Sequence, residues 1–70
     1  MRLRVTVNGE AREVSGDATI SDLVRRLGRD PLRSGVAVAI NGTVVPRETW
    51  PERRLAAGDQ VEVLGAVQGG

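Results

Sequence analysis

The stretch of sequence that decides the fold runs from Thr19 to Gly28 and reads TISDLVRRLG. Its apolar residues recur at the spacing i, i+3, i+4 and i+7, which places them on one stripe of an α-helix. These residues are Ile20, Leu23, Val24 and Leu27. Thr19 and Asp22 stand where a capping box would begin the helix, and Gly28 would end it in a left-handed conformation. A helix with a single apolar stripe needs a sheet to cover that stripe.

The segment before the helix predicts a β-hairpin. Residues 2–7 read RLRVTV and alternate between polar and apolar side chains, as in a strand with one buried face. Asn8-Gly9 tolerates the positive φ angles of a two-residue hairpin turn. A second strand, Glu10 to Val14, would then return antiparallel, with Ala11 or Val14 touching the core.

The segment after the helix predicts a second hairpin. Residues 36–40 read VAVAI, apolar throughout, which indicates an inner strand covered more heavily than the first. Asn41-Gly42 is again a hairpin turn, and the return strand would be Thr43 to Val45. Pro46 would end it, because proline cannot donate to the ladder.

The last third of the sequence predicts a loop and a final strand. Residues 47–57 have no clean period, so we expect a loop with a helical turn that Trp50 pins to the core. Gly58 and Asp59 would form a turn, and Gln60 to Leu64 the last strand. Gly65 interrupts the pattern and would mark a bulge.

The order of these elements, ββαββ followed by a loop and one more strand, indicates an α+β protein. Two hairpins around one helix, with a last strand able to pair beside the first, describe the β-grasp (ubiquitin-like) fold. We predict a mixed sheet of four to five strands packed on one helix. The predicted domain covers residues 1–65, and residues 66–70 form a flexible diglycine tail.

The composition argues against an enzyme. The chain of 70 residues contains neither His nor Cys, so it lacks a general base of near-neutral pKa, a thiolate nucleophile and the usual zinc ligands. A domain this small also has room for only one modest core. We therefore predict no catalytic residues, no metal site and no bound cofactor.

Charge and hydropathy limit the classes of partner that the protein could bind. Ten basic residues, all Arg, nearly balance nine acids and are scattered along the chain, whereas nucleic-acid binders cluster their basic residues. No apolar segment approaches the length of a membrane span or of a targeting signal. We expect a cytoplasmic protein that binds neither nucleic acid nor membrane.

The tail, residues 66–70, is the candidate functional segment. Extended from Gly65 at 3.3–3.6 Å per residue, it would reach roughly 20 Å from the domain, far enough to enter a deep active site. Gly69 lacks a Cβ and gives clearance in a narrow channel, and Gly70 would present an unhindered carboxylate. A carboxylate is a poor electrophile, so it would need activation by ATP before a sulfur nucleophile could attack it. All of that catalysis could belong to partners.

Several short motifs, spread over the whole chain, carry a family resemblance. The first hairpin and the entry to the helix, SGDATI at 15–20, fit the pattern. The more specific motifs are VAVAING at 36–42, VPR at 45–47 with Trp50 three residues later, GD at 58–59 and the terminal GG at 69–70. With these motifs the sequence resembles the ThiS family, the sulfur carrier proteins of thiazole formation in thiamine biosynthesis.

The resemblance implies a reaction at Gly70. An E1-like (ThiF-like) adenylyltransferase would adenylate its carboxylate with ATP, and a persulfide supplied through a cysteine desulfurase would convert it to a thiocarboxylate. The loaded carrier would then deliver sulfur to a ThiG-like thiazole synthase. Three other functions stay open: the molybdopterin synthase small subunit, a ubiquitin-like protein modifier, and an interaction domain with an inert tail.

Four side chains outside the diglycine are candidates for a role in the core or in partner binding. Trp50 fits the edge of a small core better than a partner-binding surface. We interpret Arg47 as a solvated or locally paired loop residue, although it could also dock an acidic partner. Leu64 and Val67 lie off or beyond the inner face of the last strand, so we predict a docking surface there for the activating enzyme and the sulfur acceptor.

Overall fold

The computed structural model describes residues 1–32 and 35–65. Within these residues it contains, in order, β1 (Arg2–Val7), β2 (Glu10–Ser15), α1 (Ile20–Arg26), β3 (Val36–Ile40), β4 (Thr43–Val44), a 3₁₀ helix (Arg47–Thr49) and β5 (Gln60–Gly65). The strands form one sheet in the order β2-β1-β5-β3-β4. β1 and β5 run parallel, and all other neighbours are antiparallel. The predicted α+β class and mixed sheet are confirmed.

Both Asn-Gly pairs form the predicted hairpin turns. Asn8 and Gly9 have φ angles of 50° and 86°, and Asn41 and Gly42 have 52° and 88°, as a type I′ turn requires. The first return strand extends one residue beyond its predicted end, to Ser15.

The burial of β2 decides between the two core residues predicted for it. Val14 is buried, whereas Ala11 is exposed because it pairs with Thr6 on the outer face of the sheet. Similarly, β4 ends at Val44, one residue earlier than predicted. Val45 lies just beyond β4: its amide still donates to Val38 O of β3 at 2.9 Å, and its side chain is buried in the core.

Helix α1 begins and ends as the sequence predicts. The Asp22 amide donates to Thr19 Oγ1 at 3.2 Å, and the Thr19 amide donates to Asp22 Oδ2 at 3.0 Å, which completes the capping box. At the other end Gly28 has φ 83°. The Gly28 amide donates to Arg25 O (2.9 Å) and the Arg29 amide to Val24 O (3.1 Å). These two bonds are those of a Schellman motif, so the helix ends in a defined geometry.

The core lies between α1 and the inner face of the sheet. Trp50, at 1% exposure, fills the end of the core beside the second hairpin, and its indole N–H donates to Val45 O at 3.1 Å. The prediction that it is a core residue is confirmed. The buried apolar residues are Val5, Val7, Val14, Ala18, Ile20, Leu23, Val24, Val38, Ile40, Val45, Trp50, Leu55, Val61 and Val63.

Gly65 does not form the predicted bulge. It pairs with Val36 in the same antiparallel register that joins Leu64 to Ala37 and Val63 to Val38. The last strand is therefore regular to its final residue.

Candidate functional site

The last strand, β5, lies in the middle of the sheet, and it leads directly to residues 66–70. β3 pairs with it along its whole length. On its other side β1 pairs only with Gln60 and Val61. Beyond that point the Asn8 side chain replaces the missing strand: its Oδ1 accepts from the Val63 amide at 2.9 Å, and its Nδ2 donates to Val63 O at 3.2 Å. The strand is thus held on both sides almost to its end.

The predicted site residues divide at Gly65. Val67, Gly69 and Gly70 lie outside the described residues, and the predictions for them stay predictions. Leu64 is described, and its side chain is 65% exposed on the outer face of the sheet, away from α1.

Leu64 has apolar neighbours on that outer face. It pairs with Ala37 across β3, and Ala39, two residues further along the same strand, pairs with Val44 of β4. Residues two apart in a strand and residues paired across strands share a face. Val44 is 71% exposed and Ala37 is also exposed. We call these four residues, Ala37, Ala39, Val44 and Leu64, the apolar patch.

Arg47 has a structural role that the sequence interpretation missed. Its guanidinium donates to Pro31 O and, at 2.9 Å, to Val36 O, so it ties both sides of the connection between α1 and β3. It also lies over the Trp50 ring, 4.7 Å from the centroid. The interpretation as a solvated or locally paired residue is wrong, because its partners lie 11 and 16 residues away. The sequence contained one signal for the contact between Arg47 and Trp50: the two residues are three positions apart, which is one helical turn.

Asp59 forms the predicted turn and also links two parts of the chain. Its Oδ2 accepts from the Ala56 amide at 2.8 Å, and its Oδ1 accepts from Asn41 Nδ2 at 3.3 Å. Asn41 in turn accepts from the Gln60 amide at 3.0 Å. The start of β5 is therefore joined to the turn of the second hairpin.

The described residues match neither the pattern of a metal site nor that of a membrane-spanning helix. In the described ranges, 1–32 and 35–65, no group of three or more His, Cys, Asp or Glu residues comes together as metal ligands would. The one α-helix described is also far too short to cross a membrane.

Comparison with known proteins identifies the family. The model of the ThiS family matches residues 5–70. The chain belongs to the ThiS family. The family predicted from the sequence is thus confirmed.

Individual ThiS proteins resemble the chain over nearly all of its length. The sulfur carrier protein ThiS of Escherichia coli is 31% identical over 97% of this chain and 100% of that protein. The sulfur carrier protein ThiS of Thermus thermophilus is 36% identical over 94% and 98%. A thiazole synthase of Paramagnetospirillum magneticum is 31% identical over 97% of this chain but only 20% of its own length.

Solved structures agree with this assignment. The crystal structure of the thiamine biosynthesis protein ThiS from Geobacter metallireducens has a TM-score of 0.77 and 30% identity, with 97% of this chain and 100% of that chain covered. SAMP1 from Haloferax volcanii, at 22% identity and a TM-score of 0.57, shares the fold. The β-grasp fold predicted from the sequence is confirmed.

Proposed function

We propose that this protein carries sulfur on the carboxylate of Gly70 and acts as a co-substrate of partner enzymes, not as an enzyme. As a member of the ThiS family it is a sulfur carrier of thiamine biosynthesis. The observation that carries the proposal is that the family match runs through residue 70, in a chain that contains no His or Cys. The chain can therefore offer the reacting group, but little of the catalytic machinery.

The chemistry follows from the carboxylate. Attack of the Gly70 carboxylate on the α-phosphorus of ATP would form an acyl adenylate and release pyrophosphate. A persulfide sulfur would then displace AMP to give an acyl persulfide. A thiol that cleaves its S–S bond would leave the thiocarboxylate on Gly70 and become a disulfide itself. Because Gly69 carries no side chain, the chain could pass a narrow channel to reach those groups.

The proposed partners are the enzymes of these steps: a ThiF-like E1 adenylyltransferase, a cysteine desulfurase system as the persulfide source, and a ThiG-like thiazole synthase as the sulfur acceptor. The Paramagnetospirillum thiazole synthase supports the last of these, because a fifth of its length resembles the present chain. Since activation consumes ATP, the proposal also places the protein in the cytoplasm. The family assignment favours this function over the molybdopterin synthase subunit and the protein modifier.

We extend the proposal to the surface that the activating enzyme contacts. The apolar patch is exposed on the outer face and includes Leu64, which immediately precedes the last described residue, Gly65. An enzyme that takes up residues 66–70 must lie against this end of β5. Burial of the patch would hold the domain while the tail reaches the active site, and Val67 would extend the contact.

Intact-mass measurement tests the proposal. The full-length protein is incubated with ATP, a cysteine desulfurase, cysteine and the E1-like adenylyltransferase of the same organism. We expect a mass gain equal to the replacement of one oxygen by sulfur, and no gain in the variant lacking Gly70. Amide-linked conjugates of higher mass would instead indicate a protein modifier. An unchanged mass with an active enzyme preparation would contradict sulfur carriage.

A further inference from the structure

The inner face of β5 ends in an unusual contact at Gly65. Inward-facing residues alternate along the strand, so Val61, Val63 and Gly65 point towards α1. The place where a Gly65 side chain would lie is occupied by the Arg29 guanidinium. A Cβ built on Gly65 would collide with Arg29 Nη1 and lie 2.6 Å from Arg29 Cζ. Only glycine permits so close an approach of another side chain to the backbone.

The backbone that carries Arg29 is well anchored. Its amide completes the Schellman motif by donating to Val24 O at 3.1 Å. Two residues later the chain is held again, because Arg47 donates to Pro31 O. The Leu32 amide also donates to Asp30 Oδ1 at 2.9 Å. The guanidinium therefore reaches Gly65 from a defined position beside the C-terminus of α1.

Among the described residues, Arg29 has no ion-pair partner. Within residues 1–32 and 35–65 the two ion pairs are formed by other arginines, Arg2 with Glu13 and Arg25 with Asp22. The Arg29 guanidinium lies at the end of β5 in the side-chain space of Gly65, on the face opposite the apolar patch.

We propose that Arg29 is a positioning residue for the loading of Gly70. Its guanidinium, lying in the side-chain space of Gly65, holds the last residue of β5 and sets the direction in which the chain leaves the domain towards the active site of the activating enzyme. The inference rests on the proposed function and adds a residue to it. Without the contact, the start of the tail after Gly65 would have to be ordered within the enzyme complex. Each residue ordered there costs conformational entropy.

A double-mutant cycle with Arg29→Ala and Gly65→Ala tests this inference. The alanine Cβ would meet the far end of a flexible side chain, so Gly65→Ala expels the guanidinium without disturbing the fold. Initial rates of sulfur loading are measured by intact mass at several carrier concentrations. Arg26→Ala, which removes another exposed arginine in the last turn of α1, is the matched control.

We expect each single variant to lower kcat for loading by about fivefold, with KM for the carrier changed by less than about twofold because the apolar patch is intact. The double variant should be no slower than either single variant, since both remove the same contact. Hydrogen exchange of the hydrogen-bonded amides at the end of β5 should be faster in all three and unchanged in Arg26→Ala.

Three outcomes overturn the inference. The first is loading of both single variants at the wild-type rate. The second is additive losses in the double variant, which would mean that the residues act separately. The third is a rise in KM alone that weakens with salt, which would make Arg29 a charge contact with the enzyme. If the wild-type protein itself is not loaded by an active enzyme preparation, the proposed function fails, and this inference with it.

Discussion

Arg47 is the residue whose role depends most on contacts distant in sequence. It joins the connection after α1 to the 3₁₀ helix, and it covers the one aromatic ring of the protein. A fork of five N–H donors can satisfy two carbonyl groups while its flat face packs on an indole, which a lysine cannot do. The side chain therefore stabilises the fold and is not free to dock a partner.

Replacement of Arg47 by alanine should destabilise the protein. Loss of the bonds to Pro31 O and Val36 O and of the contact with Trp50 should lower the free energy of unfolding by about 2–3 kcal/mol. Urea denaturation followed by Trp50 fluorescence measures the change. Arg53→Ala, at an arginine that is exposed whereas Arg47 is half-buried, should change it by less than about 0.5 kcal/mol. Equal stability of the two variants would show that the contacts of Arg47 contribute nothing.

At the scale of the element, the residues that begin and end α1 lie within or next to its own stretch of sequence. The capping box satisfies amides at its start, and Gly28 takes the conformation that stops it. Three of its four stripe residues are fully buried, whereas Leu27, at the C-cap, is only partly covered. The helix thus ends where the sheet no longer covers its apolar face.

The start of α1 gives a prediction for how the stability of the fold depends on pH. The Thr19 amide donates to the Asp22 carboxylate and lowers the pKa of that group. A lowered pKa in the folded state means that Asp22 stabilises the fold above its unfolded value of about 3.9, and that this contribution disappears as pH falls through the folded pKa.

The variant Asp22→Asn, which keeps an acceptor but no charge, should therefore unfold more easily at pH 7, by about 0.5 kcal/mol. The difference from wild type should shrink as pH falls below about 4. Asp17, whose pKa the Ser15 hydroxyl lowers by donating to it, titrates in both proteins and cancels in the comparison. A difference that stays constant from pH 7 to pH 2.5 would contradict the charge-based explanation. Chemical denaturation across that range measures it.

At the scale of the whole molecule, the two faces of the sheet have different roles. The inner face packs on α1, and the outer face carries the apolar patch at the end of β5 from which the tail continues. The proposed docking surface and the proposed positioning contact of Arg29 thus lie on opposite sides of the same strand end.

A charge introduced into the apolar patch should weaken docking without weakening the fold. Leu64→Glu should raise KM for the carrier in adenylation by about tenfold, while the free energy of unfolding changes by less than about 0.5 kcal/mol because Leu64 is 65% exposed. Gln60→Glu places the same charge on the same face of the same strand, four residues earlier, and should leave KM unchanged. Pyrophosphate exchange measures adenylation. Unchanged kinetics in Leu64→Glu would remove the patch from the proposed interface.

The sequence by itself was enough for the fold class and the family. The helical stripe with its caps, the two Asn-Gly turns and the strand patterns are local signals, because each depends on residues within a few positions of one another. The short motifs and the diglycine led to the ThiS family in the same way. Trp50 could be assigned to the core because the sheet and the single helix supply few other large apolar side chains to fill the end of that core.

Only the tertiary structure decided the roles that depend on distant contacts. The outer position of Ala11 follows from register, and the side-chain space of Gly65 is occupied by Arg29, which lies at the start of the connection after α1. Asn8 completes the last strand across 55 residues, and Arg47 joins segments 11 and 16 residues away. No local pattern records such pairs, because a side chain's partner across the fold is set by packing and not by neighbouring sequence.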